Sequence, residues 1–328
     1  MSDLSDWMTL LPEHIRDRSI TEIAIPGSHD SFATRSSLST RFPVGNDVSP
    51  VLQRLGVVPG VKWFIRRWAV TQVIVSRIQH NSHSNHTLQS LLQRLSILEQ
   101  LQAGIRYLDL RVSLPPIDAK GQSYRLIHGL YGDHLQNLLN QVSHFLFKHP
   151  KEVVIVDTNH LYGFGDNVEH LLDAISLAFD PLQIVSPSTG KPLHSYTLNE
   201  VQESGRNVIL ISCASIVHPL IWSSSSISAP WPDSDNIDYV IRFLDRESQQ
   251  RKEHLQHKLL VYQGVATVTG MHIALHPFST LENFVSRKMT ERTIQWLSER
   301  ASADCINIVQ GDFVSSLFCK SVIGVNFR

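Results

Sequence analysis

Residues capable of acid–base and phosphate chemistry fall at the ends of short apolar runs in this sequence. His29 and Asp30 follow the run Ile20–Ile25 and the pair Pro26-Gly27. Arg111 lies near the end of Ile105–Val112, where Tyr107, Asp109 and Arg111 alternate with Leu108, Leu110 and Val112. His128 follows Tyr124–Ile127, Asn159 and His160 follow Glu152–Val156, and Asp312 follows Ile306–Val309. A carboxylate beside an imidazole fixes the ring and raises its basicity, which suits a general base. Two histidines, an arginine and acidic partners together form a set that can cleave a phosphodiester. One histidine takes the proton of an attacking hydroxyl and the other protonates the leaving oxygen. The guanidinium holds the phosphoryl oxygens. No glycine-rich phosphate loop of the Walker type competes with this reading.

Those residues can act together only if the runs are neighbouring strands pointing the same way. Continuous apolar strands such as Glu152–Val156, Val208–Ile211 and Leu259–Tyr262 are expected where both sheet faces are covered. Helical spacing of leucines predicts a helix over 88–103, closed by Gly104, and another from an Asp133 cap to about Lys148. Further helices are expected over 166–179, after a Thr197–Glu200 capping box, and over 281–299. Seven or eight strands alternating with helices argue for a parallel α/β barrel, in which active-site side chains come from the carboxyl ends of strands. No internal repeat or domain boundary stands out, so residues 1–328 are expected to form one domain with a loop and helix insertion around 32–95. Trp222 and Trp231, in a Ser/Pro/Trp loop over 222–238, are candidate ligand contacts.

Acidic and basic residues nearly cancel, leaving a formal charge of -1, so no global field recruits nucleic acid. Three cysteines, Cys213, Cys305 and Cys319, are widely spaced and favour a reducing compartment. The interrupted acidic start is not a secretory signal, and no run of about 18 apolar residues predicts a membrane span. A cytoplasmic protein with peripheral membrane association is the expectation. Trp63, Phe64 and Trp68, interleaved with basic residues over 61–78, fit either a helix at a lipid interface or a helix packed on the domain. His80, His83 and His86 recur every third residue in a Ser/Asn matrix over 79–87. That spacing fits a flexible polar insert better than a metal site.

The motifs PGSHDS, QLQAGIRYLDLRV, LIHGLYG, HPKEVVIVDTNH and NIVQGDFV, in this order, resemble phosphatidylinositol-specific phospholipase C X domains. WAVTQ at 68–72 and APW at 229–231 are similar to segments of the stand-alone eukaryotic members. The resemblance covers nearly the whole chain. It implies a distorted TIM-like barrel and a metal-independent reaction with no cofactor. His29 would be the general base on the inositol 2-hydroxyl and His128 the general acid for the diacylglycerol oxygen. Arg111 would contact phosphate, Asp30 would support the leaving-group side, and Asp312 would orient His29. Asn159, His160 and Trp231 are the expected headgroup contacts. The partner would be phosphatidylinositol in membranes, touched transiently, with Trp63, Phe64 and Trp68 helping to dock. Calcium-dependent members carry an acidic ligand where this chain has Arg111, so no calcium requirement is expected. Bacterial members carry Lys near Asn159 and Arg near Ser212, and neither is present here. A weakly catalytic binding module, or a phosphodiesterase for another phospholipid, is the alternative.

Overall fold

The computed structural model describes residues 3–34, 47, 93, 95–115, 124–128, 130–165, 168–254, 257–267, 282–300 and 306–328. The segment 61–78, the histidine-rich insert, Cys305 and most of the expected insertion lie outside the described residues. Among the described residues ten strands form one sheet: β1 (Ile25–Ser28), β2 (Tyr107–Ser113), β3 (Arg125–His128), β4 (Leu130–His134), β5 (Val154–Tyr162), β6 (Val208–Ser212), β7 (Trp222–Ser223), β8 (Ile227–Ser228), β9 (Leu259–Gly264) and β10 (Ile308–Gly311). Their order is β7-β6-β5-β2-β1-β10-β9-β8, every neighbouring pair in that path being parallel. The sheet is a nearly closed barrel with helices outside. β1, β6, β9 and β10 are buried throughout, since helices cover the outside and side chains fill the interior. Leu135–Lys148, for instance, turns Leu135, Leu138, Leu139, Val142, Phe145 and Leu146 into the core.

Several elements differ from the sequence expectation. Ile20–Ile25 is not a strand: Ser19 caps a short 3₁₀ turn at Ile20–Glu22, and β1 begins only at Ile25. Pro26 and Gly27 therefore lie inside β1 rather than in a turn. Gly27 is required there by packing, since a Cβ would stand 2.8 Å from the Tyr107 ring and 3.2 Å from Gln310 Cβ. β3 and β4 form an antiparallel hairpin on β2, because the one residue separating them is far too few for a parallel crossover. Of the helix expected over 88–103, residues 88–92 and 94 lie outside the described residues, and the described part is helical over Ile97–Gln102, started by a Ser96–Glu99 capping box. The helix after β4 has His134 at its N-cap without a side-chain bond. Asp133 instead accepts hydrogen bonds from His134 N and Asn137 Nδ2. Trp222 is buried and donates from Nε1 to Val185 O, so it is a structural residue and not a ligand contact.

The amino ends of the strands are locked by charge. Arg106 and Glu152, both fully buried, pair at 2.7 Å. The Arg106 guanidinium also donates to the Ser5, Leu101 and Ile105 carbonyls. Glu152 accepts from Met8 N, Thr9 N and Thr9 Oγ1. The pair thus straps the leading segment across β2 and β5. In the barrel interior, Tyr107 donates to Asp157 Oδ2 at 2.8 Å. Burial and the Asp109 carboxylate push Asp157 up to about 7, with the tyrosine bond opposing.

Two stability predictions follow from these buried charges. Glu152→Ala leaves Arg106 buried and unpaired, so denaturant unfolding should show a loss of about 3–5 kcal/mol. A loss under about 1 kcal/mol, the scale of an exposed pair, would contradict this placement. Asp157 binds its proton more tightly folded than unfolded. Its contribution is therefore fully present below the ordinary carboxylate value and is lost as pH rises to about 7. Asp157→Asn, which keeps an acceptor for Tyr107, should stabilise the protein on the order of 3–4 kcal/mol at pH 8 and less at pH 5. Equal effects at the two pH values would show that Asp157 does not hold a proton in the fold.

Candidate active site

The site is built on the turn that follows β1. His29 N donates to Gly311 O across to β10, which sets the imidazole at the carboxyl end of the barrel. Asp30 then adopts φ +41°, a left-handed conformation costly for a side chain larger than glycine. A serine clasp holds the turn in that shape. Ser28 Oγ donates to Ser31 Oγ, Ser31 Oγ donates to Ser28 O, and Asp109 N donates to Ser31 Oγ. Asp30 N donates to Asp109 Oδ2, and Ser31 N to Asp109 O. The first turn is thereby fastened to β2, the strand that carries Arg111.

Asp30 is the hub of the site and is completely buried. Its Oδ1 lies 2.7 Å from Arg111 Nε. Its Oδ2 lies 3.4 Å from His29 Nε2 and 3.3 Å from His128 Nε2. His29 Nδ1 faces Asp312 Oδ1 at 2.9 Å, and Asp312 Oδ2 accepts from Ser286 Oγ. Arg111 Nη2 stands 3.4 Å from His29 Nε2. The five residues expected to carry the chemistry therefore converge, although they come from four separate stretches of chain. His29, Asp30 and Asp312 are buried, while 21% of the Arg111 side chain and 35% of the His128 side chain are exposed. Arg111 and His128 are thus the two members of the cluster open to solvent.

The expected headgroup residues fall into three environments. Trp231 stands over His29, with ring centroids 5.2 Å apart, and is itself partly exposed. Asn159 donates to Asp109 Oδ1, so it is half committed to the protein. His160 is exposed at the rim, in register with Arg111. Asp109 was legible as a residue on the Arg111 side of β2, but its part in holding both Asp30 and Asn159 was not. Gln93 also reaches the site, from a stretch whose leucine spacing suggested only a helix.

The charges shift one another in opposite directions. Burial alone would raise the Asp30 carboxyl, but His128, His29 and Arg111 hold it below the usual carboxylate range. Burial works against a proton on His29, yet Asp30 and Asp312 push it up to about 9. His128 is lowered by burial and by Arg111, with Asp30 opposing. Arg111 is raised by Asp30 and Asp109 against its own burial. His29, Asp30 and Asp109 each present a ligand atom within 4.8 Å of the others, a donor set that could in composition hold a cation. Arg111 already sets a fixed positive charge on the same Asp30 carboxylate, which opposes a metal ion there.

No family model matches the chain. PI-PLC X domain-containing protein 2 of Mus musculus is 30% identical over 98% of this chain and 87% of that protein. The Homo sapiens protein 2 is 33% identical over 75% of this chain and 73% of that protein. Protein 3 of Mus musculus is 28% identical over 98% and 94%. Among solved structures, the phosphatidylinositol-specific phospholipase C from Listeria monocytogenes superposes with a TM-score of 0.61 at 16% identity, covering 98% of each chain. The Staphylococcus aureus enzyme gives a TM-score of 0.63 at 13% identity, covering 98% of this chain and 97% of that one. At those identities the likeness to the bacterial enzymes is one of fold. The relative of 30% identity, matched over most of its length, settles the family: this chain belongs to the PI-PLC X domain-containing proteins.

Proposed function

We propose that the protein is a metal-independent phospholipase C that cleaves phosphatidylinositol to diacylglycerol and inositol 1,2-cyclic phosphate. One observation carries the reading: a single buried carboxylate, Asp30, lies within 3.4 Å of His29, His128 and Arg111. Asp312 on Nδ1 fixes the His29 tautomer, leaving Nε2 to take the proton of the inositol 2-hydroxyl. The freed oxygen attacks phosphorus and closes the cyclic diester. The P–O bond to diacylglycerol breaks, and His128 protonates the departing oxygen. Arg111 stabilises the charge that builds on the phosphoryl oxygens. Asp30 keeps Arg111 and His128 together on the leaving-group side. Asn159, His160 and Trp231 line the headgroup side.

The two histidines act as a pair that shares one proton in the working state. An anionic phosphodiester beside Arg111 and His128 favours that proton on His128, which leaves His29 free as base. The substrate is a membrane lipid, so docking is peripheral and transient. Among the described residues no helix is long and apolar enough to cross a membrane. Trp63, Phe64 and Trp68 are proposed to assist docking, and the cytoplasm is the proposed setting. A second reading, a binding module with little catalysis, draws on Asn159 and Ser212 standing where a lysine and an arginine are expected by resemblance. Ser212 is buried and accepts from Ala214 N, and Asn159 is tied to Asp109.

Phosphatidylinositol vesicles in EDTA decide between them. We expect release of inositol 1,2-cyclic phosphate, unchanged by calcium and reduced about 10²–10⁴-fold in His29→Ala and in His128→Ala. The rate should follow a bell in pH. Above about 9 the pair loses its last proton and no acid remains; below the lowered His128 value both rings are protonated and no base remains. Vesicle binding without product, with or without calcium, would establish the binding module instead.

A further inference from the structure

Two turns must be held together for His29 to face Asp312, and both contain a strained residue. Asp30 has φ +41° in the turn after β1, and Phe313 has φ +49° in the turn after β10. Such conformations persist only where the surroundings enforce them. One side chain touches both turns. Gln93 is completely buried, and its Nε2 donates to His29 O at 2.9 Å and to Gly311 O at 3.2 Å. Its Oε1 accepts from Val314 N at 3.1 Å. These partners are the residue before Asp30, the residue before Asp312 and the residue after Phe313. Both amide hydrogens and the amide oxygen are thus committed to the two turns. Gln93 N also donates to Ala33 O. A second glutamine secures the far side of the first turn: Gln100 Nε2 donates to Ser31 O and Leu95 O.

We infer that Gln93 is a positioning residue that sets the His29–Asp312 separation by clamping the backbones on either side of it. The consequence for turnover rests on the phospholipase reading; the clamp itself does not. Gln93 reaches the dyad through main-chain groups only, so its effect runs through the orientation of the imidazole. Once it is removed, His29 N still bonds Gly311 O, and Asp312 is still held by Ser286 Oγ and by Thr290 Oγ1 on its carbonyl. The barrel should survive while the dyad loosens.

The test is a titration of His29 by NMR in the full chain carrying Gln93→Met, with Gln93→Asn as the second variant. Both are neutral. His29 is faced by Asp30 on its own turn, Asp109 and Arg111 on β2, His128 on β3, His160 on β5, and Asp312 after β10. Neither variant alters any of these charges. Methionine keeps the volume without the donors, and asparagine keeps the amide but is a methylene too short to span both turns. We expect the His29 midpoint to fall by about one pH unit in either variant, approaching that of Asp312→Asn. Turnover should fall at least about tenfold at nearly constant KM. A folded variant, verified by thermal unfolding, in which His29 titrates as in the parent overturns the clamp; if methionine does not fold, the asparagine variant decides. The titration reads the clamp even if the parent releases no cyclic phosphate, an outcome that would remove the phospholipase reading alone.

Discussion

Everything at the mouth of the barrel depends on keeping the Asp30 carboxylate charged where water cannot reach it. Leaving an isolated carboxylate in that position would cost several kcal/mol or drive it to take a proton. Three groups prevent this: Arg111 at 2.7 Å, and His29 and His128 at a little over 3 Å. The compensation works in both directions. Asp30 holds a proton on His29 and sets Arg111 in place, so one buried charge supports both the acid–base pair and the phosphate-binding cation of the proposed reaction. The arrangement resembles a salt-bridge cluster in composition. What separates it from a merely structural one is that its two outer members, Arg111 and His128, stay open to solvent.

The barrel supplies this geometry by division of labour between its ends. At the amino ends, Arg106 and Glu152 fasten the leading segment and the starts of β2 and β5, with every donor given a partner in the protein. At the carboxyl ends, by contrast, the chain accepts strain. Asp30 and Phe313 take left-handed backbone. A rigid base makes a strained rim tolerable. Gly27 serves the same end inside the barrel, where Tyr107 crosses close enough to reach Asp157 only because β1 has no side chain there.

Much of this was legible in the sequence. Alternation placed Asp109 and Arg111 on one side of β2, and runs of apolar residues ending in His29, His128, Asn159 and Asp312 gave the convergence at one end of a barrel. Local chemistry was harder. Pro26-Gly27 has the signature of a turn, yet tertiary packing against Tyr107 keeps both in the strand. Trp222 looked like a ligand contact because loop tryptophans often are, but its indole N–H found a buried carbonyl. Gln93 carried no signal at all: an amide that bonds three main-chain groups leaves no periodicity and no charge. Its partners, His29, Gly311 and Val314, are specified only by the fold.

The most direct measurement is the rate of cyclic phosphodiester formation by Asp30→Asn from phosphatidylinositol in EDTA, followed by ³¹P NMR beside the parent protein. The substitution keeps the shape of the side chain and removes only the charge that joins His29, His128 and Arg111. We expect a loss of at least about a hundredfold with the fold intact. A rate within about threefold of the parent would show that the three groups work without the buried carboxylate, and the central claim would be wrong.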